Sequence, residues 1–84
     1  MTSNNYKVEL AKSAHKQYQS LPKIEQKKTK RKLKLLKTDP YHGKKLKGQL
    51  EGKYTLRAWP YRIIHAVGDN TVYVSTILHR QDAY

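Results

Sequence analysis

Tyr61-Arg62-Ile63-Ile64-His65-Ala66-Val67, then Gly68-Asp69-Asn70, then Val72 to His79 form the stretch from which the fold is read. The first seven residues are apolar on both faces apart from Arg62 and His65, the pattern of a strand that is central in its sheet. Gly68-Asp69-Asn70 is a strong hairpin signal, because these residue types tolerate the left-handed backbone of a tight turn. Val72 to His79 is therefore expected to return antiparallel. Upstream, Tyr54 to Trp59 predicts a further strand, and Pro60 makes its link to Tyr61 tight and sets that strand toward an edge.

Toward the N-terminus, Tyr6, Val8 and Leu10 alternate with polar residues, the period of a half-buried strand. Ser13 is positioned to cap a helix in which Ala14, Tyr18 and Leu21 recur at helical spacing, and Pro22 ends that helix or opens the next. A second helix is predicted over Ile24 to Lys37, rich in good helix formers, with Ile24, Leu33, Leu35 and Leu36 as its buried stripe. Asp39-Pro40 stops it. Tyr41 to Gly52 reads as a mobile loop pinned to the core through Leu46 and Leu50. The order is β-α-α-β-β-β, an α+β fold with a mostly antiparallel twisted sheet, two N-terminal helices packed on one face and the other face open. Residues 1–84 are read as one domain, with no internal repeat or linker.

Eighteen Lys and Arg against six Asp and Glu give a formal charge of +12. Self-repulsion at that density is unfavourable, so the charge is expected to serve a polyanion or an acidic protein. Nucleic acid leads over an anionic membrane, because no basic amphipathic segment carries a large aromatic or leucine face. There are no cysteines, which excludes a disulfide framework, a thiolate metal site and a cysteine nucleophile, and suits a reducing cytosol. No apolar run approaches the roughly 20 residues of a membrane span, and Met1 to Tyr6 lacks the features of a signal peptide. The expectation is a soluble cytoplasmic protein.

Lys27, Lys28, Lys30, Arg31, Lys32, Lys34 and Lys37 place seven cations in eleven residues. A charge run on a helix is usually a solvated face. Here almost no acid offsets it, and contact with a phosphate backbone is the favoured account, shared with Lys44, Lys45, Lys47 and Lys53. Arg57, Arg62 and Arg80 sit in strand-like segments, where an unpaired guanidinium is costly. For Arg57, extension into solvent or pairing with a carboxylate stands level with function. Arg62 and Arg80 have few acidic partners in this half of the chain, so an open basic groove accounts for them better.

His15, His42, His65 and His79 show no metal-ligand spacing, and neither a metal nor another cofactor is expected. His15 and His42 read as surface groups and His65 as a hydrogen-bonded core histidine. His79 differs, standing beside Arg80 with Asp82 and Tyr84 close behind. Tyr6 and Tyr18 are read as core, while Tyr54, Tyr61 and Tyr73 are open between packing and function.

Leu46-Lys47-Gly48, Tyr54-Thr55-Leu56-Arg57, Tyr61-Arg62-Ile63-Ile64-His65 and His79-Arg80-Gln81-Asp82-Ala83-Tyr84, taken in order, resemble the RelE/ParE superfamily of bacterial and archaeal toxins. The RelE branch cleaves mRNA in the ribosomal A site without a metal and is silenced by a cognate antitoxin. The resemblance implies attack by a ribose 2′-hydroxyl on the adjacent phosphate, leaving a cyclic phosphate and a free 5′-hydroxyl. It matches Arg62 and Arg80 to the strand arginines that hold the scissile phosphate, and Tyr84 to a late aromatic residue that stacks on a base or handles a proton. Arg57 falls where the branch often carries a lysine, and Thr55 departs from a second lysine position. A guanidinium stabilises charge but is a poor base, which leaves His79 as a candidate general base, histidine being the side-chain type suited to proton transfer near neutral pH. The partners implied are the ribosome, mRNA and an acidic antitoxin. The ParE branch shares the fold, inhibits DNA gyrase and lacks the basic catalytic cluster, so Arg57, Arg62, His79, Arg80 and Tyr84 set this chain nearer the nucleases. A basic RNA-binding module without catalysis is the third alternative.

Overall fold

The computed structural model describes residues 6–46, 48 and 52–79. Its elements are β1 (Lys7–Leu10), α1 (Lys12–Gln19), α2 (Lys23–Thr38), β2 (Lys44–Lys45), β3 (Lys53–Ala58), β4 (Tyr61–Gly68) and β5 (Thr71–His79). The strands form one sheet in the order β1-β5-β4-β3-β2, with β1 parallel to β5 and the other pairs antiparallel. β4 is the central strand, as its two-sided apolar character predicts. The turn from β4 to β5 has positive φ at Asp69 (46°) and Asn70 (59°), the two left-handed centres of a type I′ hairpin.

Three local expectations are corrected. The loop after Pro40 contributes a short edge strand, Lys44–Lys45, paired with Thr55 and Tyr54, so β3 is shielded from the edge. Ser13 does not cap α1. The N-cap is Ala11 with no side-chain bond, and the Ser13 hydroxyl donates instead to the Ser75 carbonyl at 3.2 Å. In α2 the buried stripe is Thr29, Leu33 and Leu36, whereas Ile24 is 65% and Leu35 36% exposed.

α1 completes the sheet edge that β1 leaves short. β1 pairs only with Thr71 to Val74, and beyond it the Ala11 N–H donates to the Val74 carbonyl at 2.8 Å. The Gln17 carboxamide oxygen accepts from the Ile77 N–H at 2.7 Å and the Thr76 hydroxyl at 3.1 Å. These bonds satisfy backbone groups that an unpaired edge exposes. The Gln26 side-chain amide donates to the Tyr18, Gln19 and Leu21 carbonyls at 3.2, 3.3 and 3.1 Å, tying α2 to the end of α1 and the turn after it.

The core between helices and sheet holds Ala14, Leu21, Leu36, Ile63, Val72 and Val74 among others. Tyr6 and Tyr18 pack against it. A bulge phases β5: Ile64 pairs with Thr76 but His65 with Val74, leaving Ser75 as the extra residue. Val72 and Val74 therefore share the core face with Ile77 across an odd step. Because β4 alternates, Ile63 faces this core while Arg62 faces away. Among the described residues no helix is long and apolar enough to cross a membrane.

Candidate functional site

Arg57 on β3 and Arg62 on β4 are direct cross-strand partners and lie on the same face of the sheet. Like charges directly opposite each other destabilise a strand pair. Among the described residues the ion pairs are Lys28–Glu25 at 3.2 Å and His42–Asp39 at 3.1 Å, so no carboxylate there offsets either arginine. Together they line a groove of about 350 Å³, with Lys32 from α2, Lys44 from β2, and Thr55 and His42. Lys44 pairs with Thr55, which puts it on the arginine face. Among the described residues no Asp or Glu lines the groove.

The wall of this groove depends on Gly43 and His65. Gly43 has φ of 114°, and a Cβ there would stand 2.6 Å from the Thr55 carbonyl oxygen, so only glycine lets the chain approach β3 so closely. His65, fully buried as its place on a central strand predicts, donates from Nε2 to the Pro40 carbonyl at 3.0 Å and ties down the start of the loop. Tyr54 stacks on it at 5.6 Å and Tyr41 packs edge-on against Tyr54 at 5.6 Å. Among the described residues the buried Nδ1 of this histidine has no hydrogen-bond partner.

Desolvation by burial lowers the His65 pKa below 6.5; the Pro40 bond opposes this and the nearby His42 adds to it. Protonation would place a second N–H where the described residues offer no acceptor. With the folded pKa lowered, the unfolded chain binds more protons in the interval below 6.5. This contribution to stability is present above that value and is lost as pH falls through the folded pKa. Denaturant midpoints measured at pH 5 and pH 7.5 are expected to show the acid loss, and His65→Gln to flatten it; an equal slope in the variant would assign the loss elsewhere.

Of the other residues named from sequence, Lys27, Lys28, Lys30, Arg31 and Lys34 are exposed on α2, and Lys32 and Lys53 are half-buried. Lys44 and Lys45 are exposed, and Lys45 faces the side opposite Lys44 by alternation. Arg80, Tyr84, Lys47 and Leu50 lie outside the described residues. His79 pairs with Tyr61, their rings 5.2 Å apart at 89°, and lines a separate cleft of about 580 Å³ with Lys16, Gln17 and Ser20. Arg57 and Arg62 are thus brought together, and His79 stands on the other face. The sequence reading did not single out Gly43; His42 is exposed, as expected of a surface group, and lines the Arg57–Arg62 groove. The glycine just after the helix-stopping Asp39-Pro40 was the available signal.

The fold and this groove define a small α+β protein with a cationic cleft along one edge of its sheet. Over residues 8–84 the chain matches the ParE toxin of type II toxin–antitoxin systems, and it belongs to that family, within the RelE/ParE superfamily. It resembles the RelBE2 toxin–antitoxin complex of Mycobacterium tuberculosis at 25% identity and a TM-score of 0.82, covering 90% of this chain and 99% of that one. The archaeal RelE–RelB complex of Pyrococcus horikoshii aligns at 27% identity and a TM-score of 0.79, covering 94% and 99%. The YoeB–YefM complex of Staphylococcus aureus shares the fold, at 24% identity, a TM-score of 0.74 and coverage of 88% and 95%. No curated protein sequence matches the chain.

Proposed function

We propose that this toxin is a metal-independent endoribonuclease that cleaves mRNA in the ribosomal A site. The observation that carries the proposal is the cross-strand pair Arg57 and Arg62, facing one groove that no carboxylate lines among the described residues. Two guanidiniums held side by side against their own repulsion suit a phosphate that gains negative charge during reaction. The ribose 2′-oxygen attacks phosphorus, the bond to the 5′-oxygen breaks, and a cyclic phosphate and a 5′-hydroxyl result. One proton leaves the 2′-hydroxyl and one reaches the departing oxygen. Arg57 and Arg62 hold the phosphate and stabilise the phosphorane; Arg80 and Tyr84, by resemblance, supply a further cation and a proton-handling phenol. His79 lines a different cleft and is assigned no direct contact with that phosphate.

Two complexes that align at 25% identity or more each pair a toxin with its antitoxin. We extend this to an acidic antitoxin for a cytoplasmic chain of charge +12, one that covers the arginine face and so neutralises charge and blocks RNA together. The match to the ParE toxin family favours a second reading: inhibition of DNA gyrase, which the resemblance to the ParE branch implies. Mapping RNA ends after adding the protein to translating ribosomes, beside a gyrase supercoiling assay, separates the two. New 5′-hydroxyl ends within the A-site codon and unaffected supercoiling are expected. Intact message with inhibited supercoiling would replace this function by the second.

A further inference from the structure

A second groove, of about 550 Å³, lies between α2 and the end of β3. Its apolar part is Leu35, Ala58 and Trp59, and its cations are Lys28, Arg31 and Lys32. Trp59 is 56% exposed, a large area for the most hydrophobic aromatic side chain of the molecule to leave in water. This groove shares Lys32 with the Arg57–Arg62 groove. It shares Arg31 with a shallower cleft of about 190 Å³ lined by Lys27, Lys30 and Lys34. Those residues follow the i, i+3, i+4, i+7 stripe of one helix face. Among the described residues no acidic side chain lines any of the three.

We propose that the three grooves form one track for single-stranded RNA, in which Trp59 stacks on a base next to the phosphate held by Arg57 and Arg62. Trp59 follows the end of β3, two residues beyond Arg57 and so at most roughly 7 Å along the chain, within the reach of neighbouring nucleotides. A cationic groove that tracks the backbone, with an aromatic side chain as a platform, is the general solution for binding single strands. A duplex keeps its bases stacked and offers none to the indole. An acidic amphipathic peptide would fit the middle groove alone. The continuation onto Lys27, Lys30 and Lys34, with no apolar residue lining that end, suits a polymer charged at every unit. The inference rests on the nuclease function only for the identity of the polymer, since stacking is measured without cleavage.

Trp59 is the only tryptophan of the chain, so its fluorescence reports the platform directly. The full chain is titrated with a short single-stranded 2′-O-methyl oligonucleotide, which lacks the attacking hydroxyl, with the same sequence as a duplex, with heparin, and with an acidic amphipathic peptide. The single strand is expected to quench Trp59, while duplex and heparin bind with little quenching. Trp59→Phe should keep single-strand affinity, and Trp59→Leu should lose roughly 5- to 150-fold. Equal quenching by heparin, or parent affinity in Trp59→Leu, would overturn the track. Quenching by the peptide but not the oligonucleotide would turn the groove into a protein-docking site. Absent stacking alongside intact cleavage of ribosome-bound message removes the track and leaves the nuclease; quenching in a chain that cleaves no message upholds the track and removes the nuclease.

Discussion

Arg62→Ala is expected to lower cleavage of ribosome-bound message by roughly 100- to 1,000-fold, the scale of losing one preorganised charge-stabilising group, about 2.7 to 4 kcal/mol. The same substitution should leave stability unchanged or slightly raised. Arg62 is half-buried directly opposite Arg57, and removing one of two like charges across a strand pair relieves a repulsion of about 0.2 to 1 kcal/mol. Activity and stability therefore move independently, or in opposite directions, the pattern of a residue kept for function rather than for folding. Arg57→Ala should fall short of the Arg62 effect, because Arg57 is the more exposed and better screened of the two. The double variant should lose less than the product of the singles, since both act on one phosphate. Single-turnover cleavage on programmed ribosomes, with a thermal melt of each variant, measures both quantities. Parent-rate cleavage by Arg62→Ala would remove the arginine pair from the mechanism.

Those arginines were legible because strand pattern and charge conflict at them. Tyr61 to Val67 is apolar enough to be central, and a charge inside such a run asks for an explanation. The hairpin at Asp69-Asn70 was legible for a local reason, as its left-handed backbone demands particular residues. What escaped was non-local. Nothing in Val8 or Leu10 says that β1 runs parallel to β5, some 64 residues away, because pairing depends on chain reversal by two intervening helices. The Ser75 bulge was written in the odd step from Val74 to Ile77, yet that step reads as imperfect alternation until the register is known. Lys44–Lys45 reads as loop because two lysines carry no strand pattern, and lysines suit an edge that should not recruit another chain. The exposed Leu35 and Trp59 reverse the usual inference from apolar residue to core. In α2, Leu33 and Leu36 face the core as expected, and Thr29 joins them in place of the exposed Ile24 and Leu35.

Ile63, the neighbour of Arg62, supplies the opposite experiment. It is fully buried, pairs with Leu56 on one side and Ile77 on the other, and faces the helices. Ile63→Ala is expected to cost about 2 to 5 kcal/mol, the transfer energy of the lost carbons plus the cavity they leave. A chain of 84 residues has a total stability of roughly 4 to 13 kcal/mol at the usual per-residue value, so the variant consumes a large share of it. At about 4 to 8 °C per kcal/mol for a domain of this size, the melting temperature should fall by roughly 10 to 40 °C. Ile63→Val, which removes a single methyl group, should cost only about 0.5 to 1.5 kcal/mol. Cleavage per folded molecule, measured well below the melting transition, should stay near the parent value in both, because the side chain points away from the Arg57–Arg62 groove. Two adjacent residues on one strand then separate cleanly: Arg62→Ala folds and does not cut, while Ile63→Ala cuts whenever it is folded. A 100-fold loss of cleavage in fully folded Ile63→Val would show that the core sets the arginine geometry, and the division between the two faces of β4 would have to be abandoned.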